Sequence, residues 1–230
     1  MEFERHDLLH LSEEGRKRIF TELAAKGFNE KTIGEMLLPK AGSAIPGIVR
    51  REEFSPRAGF IPVGFASWRS NENGRFRVAS FTKENEIVSL VTPEEVAAKR
   101  FEPGTPALQA FAALRENWNF PLLLGVWGSA AMEIETGHMY THQWSDLDVR
   151  LVPGKGTIHR ETLEKCLAAL LETEKSFGIR IDAELRLANN YGISLKELLS
   201  GSVTVLGKGY NDVILIQKTE VFAGLTAPAP

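Results

Sequence analysis

The sequence predicts a mixed α/β (α+β) fold in two parts: a smaller N-terminal α+β unit, then a mixed sheet with flanking helices. Residues 45–92 contain short β-rich runs separated by turns rich in Gly, Pro and Asn, a pattern typical of strands joined by tight turns. From Ala107 onward helical and strand patterns alternate, as expected when helices flank a sheet. Residues 101–106 include two prolines and a glycine, which favours a linker. We therefore expect domains at 1–105 and 106–220, followed by a disordered tail over 221–230.

The N-terminal part begins with a short extended or anchoring segment that contains Leu8, Leu9 and Leu11, and two helices follow it. Ser12 followed by acidic residues is typical of a helix start, and Gly27 is typical of a helix end. The second helix runs from Asn29 to the residue before Pro39. The stretch 71–74 has the composition of a hairpin tip. The expected strands lie within 48–51, 60–65, 75–79 and 87–91, and a short helix starts at Pro93.

The C-terminal part contains one strongly amphipathic helix, Ile158–Phe177, whose leucines repeat at helical spacing. The other expected helices are 107–117, one starting near Ala130, and 193–199. The expected strands are 122–127, the end of 140–151, 179–187, 203–206 and 213–217.

Composition limits the possible function classes. The chain has 230 residues, 43% of them hydrophobic, and a net charge of -3 at pH 7, which gives no electrostatic reason to expect nucleic acid or an anionic membrane as a partner. The charged N-terminus and the lack of an apolar run of about 18 residues favour the cytoplasm. The single Cys166 excludes an intrachain disulfide, and its helical setting predicts a core residue.

The first candidate for chemistry is the pair Asp146 and Asp148. Side chains two residues apart on a strand point to the same face, so these two carboxylates lie side by side while Leu147 and Val149 face the core. Neighbouring carboxylates repel each other unless a positive charge lies between them. Mg²⁺ is commonly held by one or two carboxylates together with substrate phosphates. The pair therefore predicts a magnesium site.

Two further features extend this candidate site. Asp182 and Glu184 alternate in the same way on a later strand, and if the two strands are neighbours three carboxylates converge, as a two-metal transfer reaction requires. Gly128 and Ser129 lie at a strand-to-helix turn, where backbone and hydroxyl groups can hold a phosphate. An Asp-x-Asp pair alone usually marks a solvated strand face, and Gly-Ser alone carries almost no information. The ordered combination is much more specific.

This combination resembles the nucleotidyltransferase superfamily typified by DNA polymerase beta, whose mark is Gly-Ser followed by a paired-carboxylate strand and a later third carboxylate. The longer motifs resemble one branch, the malonate decarboxylase holo-acyl-carrier-protein synthases, also called phosphoribosyl-dephospho-CoA transferases. The stretches that carry this resemblance are 5–11, 46–51, 61–64, 127–137, 145–148 and 181–197.

The resemblance implies a defined reaction. The phosphoribosyl-dephospho-CoA part of 2′-(5″-triphosphoribosyl)-3′-dephospho-CoA would be transferred to a serine of the decarboxylase's acyl carrier subunit, with release of pyrophosphate. Asp146, Asp148 and Asp182 would hold two magnesium ions, with Asp182 alternatively accepting the serine proton.

Substrate contacts are implied for a second set of residues. Gly128 and Ser129 would hold the terminal phosphates, and Arg50 and Arg51 would contact phosphate or the carrier protein, although exposed charges on an edge strand are an equally good interpretation of the two arginines. Two alternatives stay open: a nucleotidyltransferase that moves an adenylyl group from ATP to a small molecule or protein, and a non-catalytic protein that binds the acyl carrier.

Overall fold

The computed structural model describes residues 3–38, 44–51, 58–71 and 74–226, and it divides the chain into two compact units, Met1–Thr92 and Pro93–Pro230. Within these ranges the predicted fold class, a mixed α/β architecture in two parts, is confirmed. The division falls between Thr92 and Pro93, whereas the sequence suggested 105 and 106. The helix that begins at Pro93 packs against the first strand of the C-terminal sheet, so residues 93–105 belong with the second unit.

The N-terminal unit is an antiparallel five-stranded sheet with two helices, in the strand order β4-β3-β2-β1-β5. The extended segment predicted at Leu8–Leu11 is an inner strand of this sheet. Asn71 pairs with Gly74, at the position predicted for a hairpin tip. The elements are β1 Leu8–Leu11, α1 Glu13–Ala25, α2 Glu30–Leu37, β2 Gly47–Val49, β3 Ile61–Asn71, β4 Gly74–Thr82 and β5 Ile87–Val91.

The C-terminal unit is a six-stranded sheet in the order β11-β10-β9-β8-β7-β6, in which β7 and β8 are parallel and the other pairs antiparallel. Its helices are α3 Pro93–Ala97, α4 Pro106–Asn117, α5 Gly128–Thr136, α6 Arg160–Phe177, α7 Leu195–Leu198 and α8 Lys218–Thr226. Its strands are β6 Leu122–Trp127, β7 Leu147–Pro153, β8 Ile181–Arg186, β9 Gly192–Ser194, β10 Thr204–Lys208 and β11 Val213–Gln217.

Helix α6 joins β7 to β8 and so determines the geometry of the candidate site. Parallel strands need a crossover connection, which α6 provides; Cys166 is buried on its inner face, as predicted. Leu147, Val149 and Leu151 are fully buried on one face of β7. The opposite face, which carries Asp148, Arg150, Asp182 and Glu184, is called the carboxylate face below.

The predicted disordered tail is wrong for residues 221–226. These residues complete α8, where Val221 and Leu225 are buried and the Leu225 carbonyl accepts a hydrogen bond of 2.9 Å from the Ile158 amide. Burial of these two side chains stabilises a helix that the Ala- and Gly-containing sequence alone does not indicate. Residues 227–230 lie outside the described part of the chain. Within that part, no helix combines the length and the apolar character needed to cross a membrane.

An ion pair between Glu94 and Arg150 fixes α3 over β6 and β7. Arg150 Nε donates to Glu94 Oε1 at 2.8 Å and Nη2 donates to Oε2, while the Arg150 side chain is only 6% exposed. The glycine at position 125 leaves room for this pair, because a Cβ there would lie 2.5 Å from Glu94 Oε1. The carboxylate face is therefore held against α3 by a largely buried charge pair.

Replacing Glu94 with alanine is expected to destabilise the C-terminal unit by about 2 kcal/mol, because the largely buried Arg150 guanidinium loses its two charge-assisted hydrogen bonds to this carboxylate. Denaturant unfolding followed by circular dichroism measures the change. The matched control is Glu164→Ala, which breaks the exposed Arg160–Glu164 pair and should cost no more than about 0.5 kcal/mol. Equal effects of the two substitutions would show that the Glu94–Arg150 pair does not hold α3.

Candidate active site

The candidate site lies where β6 ends and α5 begins. Trp127, the last residue of β6, pairs with Asp148 of β7, and Gly128 then turns the chain into α5 with a positive φ of 68°. A side chain at position 128 would overlap Asp148 Oδ2, and its Cβ would lie 3.1 Å from Asp148 Cγ. Glycine is required here both for the turn and for the close approach of the Asp148 carboxylate to the backbone.

Asp148 and Asp182 are brought together by the parallel pairing of β7 and β8. They are direct partners in the register, so both side chains lie on the carboxylate face of adjacent strands, which are about 4.8 Å apart. Asp146 lies immediately before β7 and is exposed. The sequence expectation that these two strands are neighbours is confirmed, and the convergence of three carboxylates on one metal site stays a prediction.

The local electrostatics leave Asp148 with excess negative charge around it. The pKa of Asp148 is raised to about 7, first by burial and then by the carboxylates of Asp182 and Asp146, while Arg180 opposes the shift. A carboxyl group with this pKa is protonated in part at neutral pH unless a cation compensates for its neighbours. The site therefore favours a positively charged group beside Asp148.

The guanidinium of Arg180 is one positively charged group in this region, and it pairs with the carboxylate of Asp182. Its Nη2 donates to both carboxylate oxygens of Asp182, at 2.6 and 2.9 Å, and its Nε donates to Oδ1 at 3.1 Å. The Arg180 side chain is 65% exposed, and exposed ion pairs contribute little stability. This pairing, which sequence reasoning missed, can be exchanged for another cation at small cost.

The donor chemistry of the site fits a hard divalent cation. Carboxylate oxygens are the ligands that Mg²⁺ takes from proteins, and substrate phosphates and water usually supply the rest. Across the residues that the structure describes, no three His, Cys, Asp or Glu side chains form a complete set of metal ligands. Asp148 and Asp182 can therefore provide only part of a coordination shell. The two-metal arrangement on Asp146, Asp148 and Asp182 stays a prediction.

Glu133 fixes the loop that delivers Asp146, a role the sequence pattern did not indicate. Its Oε2 accepts hydrogen bonds from the backbone amides of Tyr140 and Thr141, at 2.9 and 2.6 Å, and from the Thr141 hydroxyl at 2.7 Å. The Thr141 hydroxyl also contacts that of Thr105 at 2.7 Å. Because one carboxylate holds two successive amides, the connection from α5 to β7 has a defined course despite its lack of regular structure.

Replacing Glu133 with alanine should release this loop and lower the turnover rate by about tenfold to a hundredfold, because a displaced Asp146 can no longer support the site. Faster hydrogen exchange at the Tyr140 and Thr141 amides would report the release directly. Glu172→Ala, at an exposed position of α6, is the control and should change neither quantity. Unchanged exchange in the Glu133 variant would contradict the assigned role.

The remaining predicted substrate residues fall in different places. Ser129 lies in the first turn of α5, next to Gly128. Arg50 and Arg51 belong to the N-terminal unit, where the Arg50 side chain packs over Gly64 so closely that a Cβ at Gly64 would lie 2.9 Å from Arg50 Cδ. Arg51 is exposed. Roles for these two arginines stay predictions.

Comparison with known protein families gives consistent matches over nearly the whole chain. Residues 94–219 match the model described as "Phosphoribosyl-dephospho-CoA transferase MdcG C-terminal domain", and residues 4–93 match the corresponding N-terminal domain. The boundary between the two matches coincides closely with the division into two units at Thr92 and Pro93.

Individual relatives with the name phosphoribosyl-dephospho-CoA transferase agree with these matches. The protein of Xanthomonas euvesicatoria pv. vesicatoria is 28% identical over 187 residues, covering 78% of this chain and 82% of that protein. The protein of Bradyrhizobium diazoefficiens is 25% identical over 228 residues, covering 96% and 93%. That of Xanthomonas axonopodis pv. citri is 31% identical over 125 residues, covering 53% and 54%. No solved structure matches the chain.

Proposed function

This chain belongs to the phosphoribosyl-dephospho-CoA transferase MdcG family, and we propose that it transfers a phosphoribosyl-dephospho-CoA prosthetic group to a protein acceptor. The donor is 2′-(5″-triphosphoribosyl)-3′-dephospho-CoA, and the acceptor is a serine of the acyl carrier subunit of malonate decarboxylase. The observation that carries the proposal is the match to both family domains, in order, over residues 4–219.

The reaction is a displacement at the α-phosphorus of the triphosphate. The serine Oγ forms the new bond to this phosphorus, the bond from the phosphorus to the bridging oxygen of the β-phosphate breaks, and pyrophosphate leaves with the electron pair. The serine proton passes to a carboxylate of the site, for which Asp182 is the candidate. Catalysis of this kind depends on positioning and on stabilising the charge of the phosphoryl group.

Asp146 and Asp148 are the residues that would hold magnesium, and Asp182 would be the third ligand if it does not accept the serine proton. When bound, Mg²⁺ neutralises charge on the transferring and departing phosphates. The crowding of Asp148 by two other carboxylates, and the exchangeable Arg180–Asp182 pair, both support this assignment. The protein's own contribution is to hold the Asp148 carboxylate against the Gly128 backbone, where the N-terminus of α5 favours the phosphate groups.

The N-terminal unit is proposed to bind the substrate or the carrier. Arg50 and Arg51 are its candidate contacts, since guanidinium groups bind phosphates and carboxylates in a bidentate manner. Alanine at both positions should raise the KM for donor or carrier more than it lowers kcat.

A pyrophosphate-release assay tests the proposal against the rival donor. Triphosphoribosyl-dephospho-CoA and ATP are compared with the same enzyme, each with and without the carrier protein and with or without excess EDTA. We expect release with the dephospho-CoA donor, dependent on carrier and abolished by EDTA. Release from ATP alone would instead favour adenylyl transfer, and full activity in EDTA would contradict the metal assignment.

A further inference from the structure

Trp144 stands out as an exposed aromatic side chain next to the candidate active site. It is 83% exposed, whereas Trp68, Trp118 and Trp127 are all partly buried. An indole ring left in water gives up the stabilisation that burial of so large an apolar side chain would bring. An aromatic ring presented in this way next to a catalytic strand is suited to contact a ligand.

The turn that carries Trp144 is well ordered by its own hydrogen bonds. The Ser145 amide donates to the His142 carbonyl at 3.0 Å, and the His142 amide donates to Ser145 Oγ at 2.9 Å. The Trp144 amide donates to His142 Nδ1 at 3.2 Å. Ser145 itself is buried, and Glu133 holds the preceding residues. The indole is therefore presented by a fixed backbone rather than by a loose loop.

The position of this ring relative to the carboxylates is limited by the chain. Trp144 precedes Asp146 by two residues and Asp148 by four, so its Cα lies at most about 14 Å from that of Asp148. In the proposed donor, the adenine base is separated from the reacting phosphorus by only two linked ribose rings. A binding surface for the base must therefore lie close to the carboxylates. The short chain between Trp144 and Asp148 keeps the indole within this region.

We propose that Trp144 stacks on the adenine base of the dephospho-CoA-derived substrate, an inference that rests on the function proposed above. Every base has a flat π-face, and stacking on an aromatic side chain is a general way to bind it. A protein-docking role is the rival. Docking surfaces have an apolar centre made of many side chains. In the loop 137–146 the large apolar side chains that are exposed are Trp144 and Met139, and the exposed residue beside Trp144, Gln143, is polar. A flat indole ring with so little apolar surface around it fits a base better than a protein surface.

Isothermal titration with 3′-dephospho-CoA tests this assignment on the full chain. Stacking contributes about 1–3 kcal/mol per base, so Trp144→Ala should raise the Kd by roughly tenfold to a hundredfold, and Trp144→Phe should restore most of the affinity. Met139→Ala, which removes another exposed side chain of the same loop, is the matched control and should leave the Kd unchanged. Thermal melting should be the same in all three variants because neither side chain is buried.

A ligand without the base distinguishes stacking from other contacts. Phosphopantetheine lacks the purine, so its Kd should not respond to Trp144→Ala. An unchanged Kd for 3′-dephospho-CoA in the alanine variant would overturn the assignment, as would an effect confined to the KM for the carrier protein. The wild-type protein could also bind 3′-dephospho-CoA through Trp144 and yet show no transfer activity. That result would support the stacking role and contradict the proposed function.

Discussion

Asp148→Asn is expected to reduce prosthetic-group transfer by on the order of a thousandfold and, at neutral pH, to increase the stability of the folded protein. The loss of rate follows because the Asp148 carboxylate lies against Gly128, where the phosphates are proposed to bind. The gain in stability follows because asparagine keeps the shape of the side chain but removes a charge that burial and two neighbouring carboxylates disfavour.

The stability of the folded protein should fall as the pH rises, because Asp148 becomes ionised. Asp148 has a pKa of about 7 when folded, against an ordinary value of 3.8, so the folded state binds the proton more tightly. Its contribution to stability is therefore complete below pH 3.8 and is lost as the pH rises toward 7. At 1.36 kcal/mol per pH unit the loss is at most about 4 kcal/mol, and less in practice because the site is partly solvated.

Unfolding in urea between pH 4 and pH 8 measures this effect. The wild-type protein should lose stability over this interval relative to Asp148→Asn, and millimolar Mg²⁺ should recover stability at pH 8 in the wild type only. If the free energy of unfolding changes with pH in the same way in both proteins, the neighbouring carboxylates do not raise the pKa of Asp148.

The second large effect is expected from Gly128→Ala. A positive φ of 68° disfavours alanine by about 1–2 kcal/mol, and the added Cβ would also overlap the Asp148 carboxylate. Either the backbone turn or the carboxylate must move, so transfer activity should fall by at least about a hundredfold. Steady-state kinetics and thermal melting measure the two consequences.

Gly137→Ala separates backbone strain from the loss of site geometry. Gly137 ends the same helix with a φ of 72°, but a Cβ there would have no neighbour within 4 Å. This substitution should lower stability by about 1 kcal/mol and leave transfer nearly unchanged. If both glycine substitutions reduce activity equally, the close approach of Asp148 to Gly128 is not what the reaction requires.

The carboxylate pattern was readable from the sequence because it depends on strand periodicity. Alternation places Asp146 with Asp148 and Asp182 with Glu184, and a helix between two strands favours their parallel pairing. Gly128 was also found from the strand-to-helix turn. The contact between Gly128 and Asp148 could not be predicted from the sequence, because the register of β6 against β7 depends on tertiary pairing that no local pattern specifies.

Other features depend on contacts between residues distant in sequence or on burial. The Glu94–Arg150 pair links residues 56 positions apart, and no periodicity relates them. Arg180 was visible beside Asp182, but its choice of partner depends on where the neighbouring carboxylates lie. The sequence predicts a disordered tail where α8 ends because its composition is poor in strong helix formers, whereas burial of Val221 and Leu225 decides its structure.

The cluster around Gly128, Asp148 and Asp182 is proposed to transfer a prosthetic group to a serine of a carrier protein. Intact mass spectrometry of purified malonate decarboxylase carrier, incubated with this protein, Mg²⁺ and triphosphoribosyl-dephospho-CoA, tests it most directly. We expect the carrier mass to increase by one phosphoribosyl-dephospho-CoA group with the wild-type protein, and to stay unchanged with Asp148→Asn or with a carrier whose acceptor serine is alanine. An unmodified carrier with the folded wild-type protein, or full modification by Asp148→Asn, would contradict the claim.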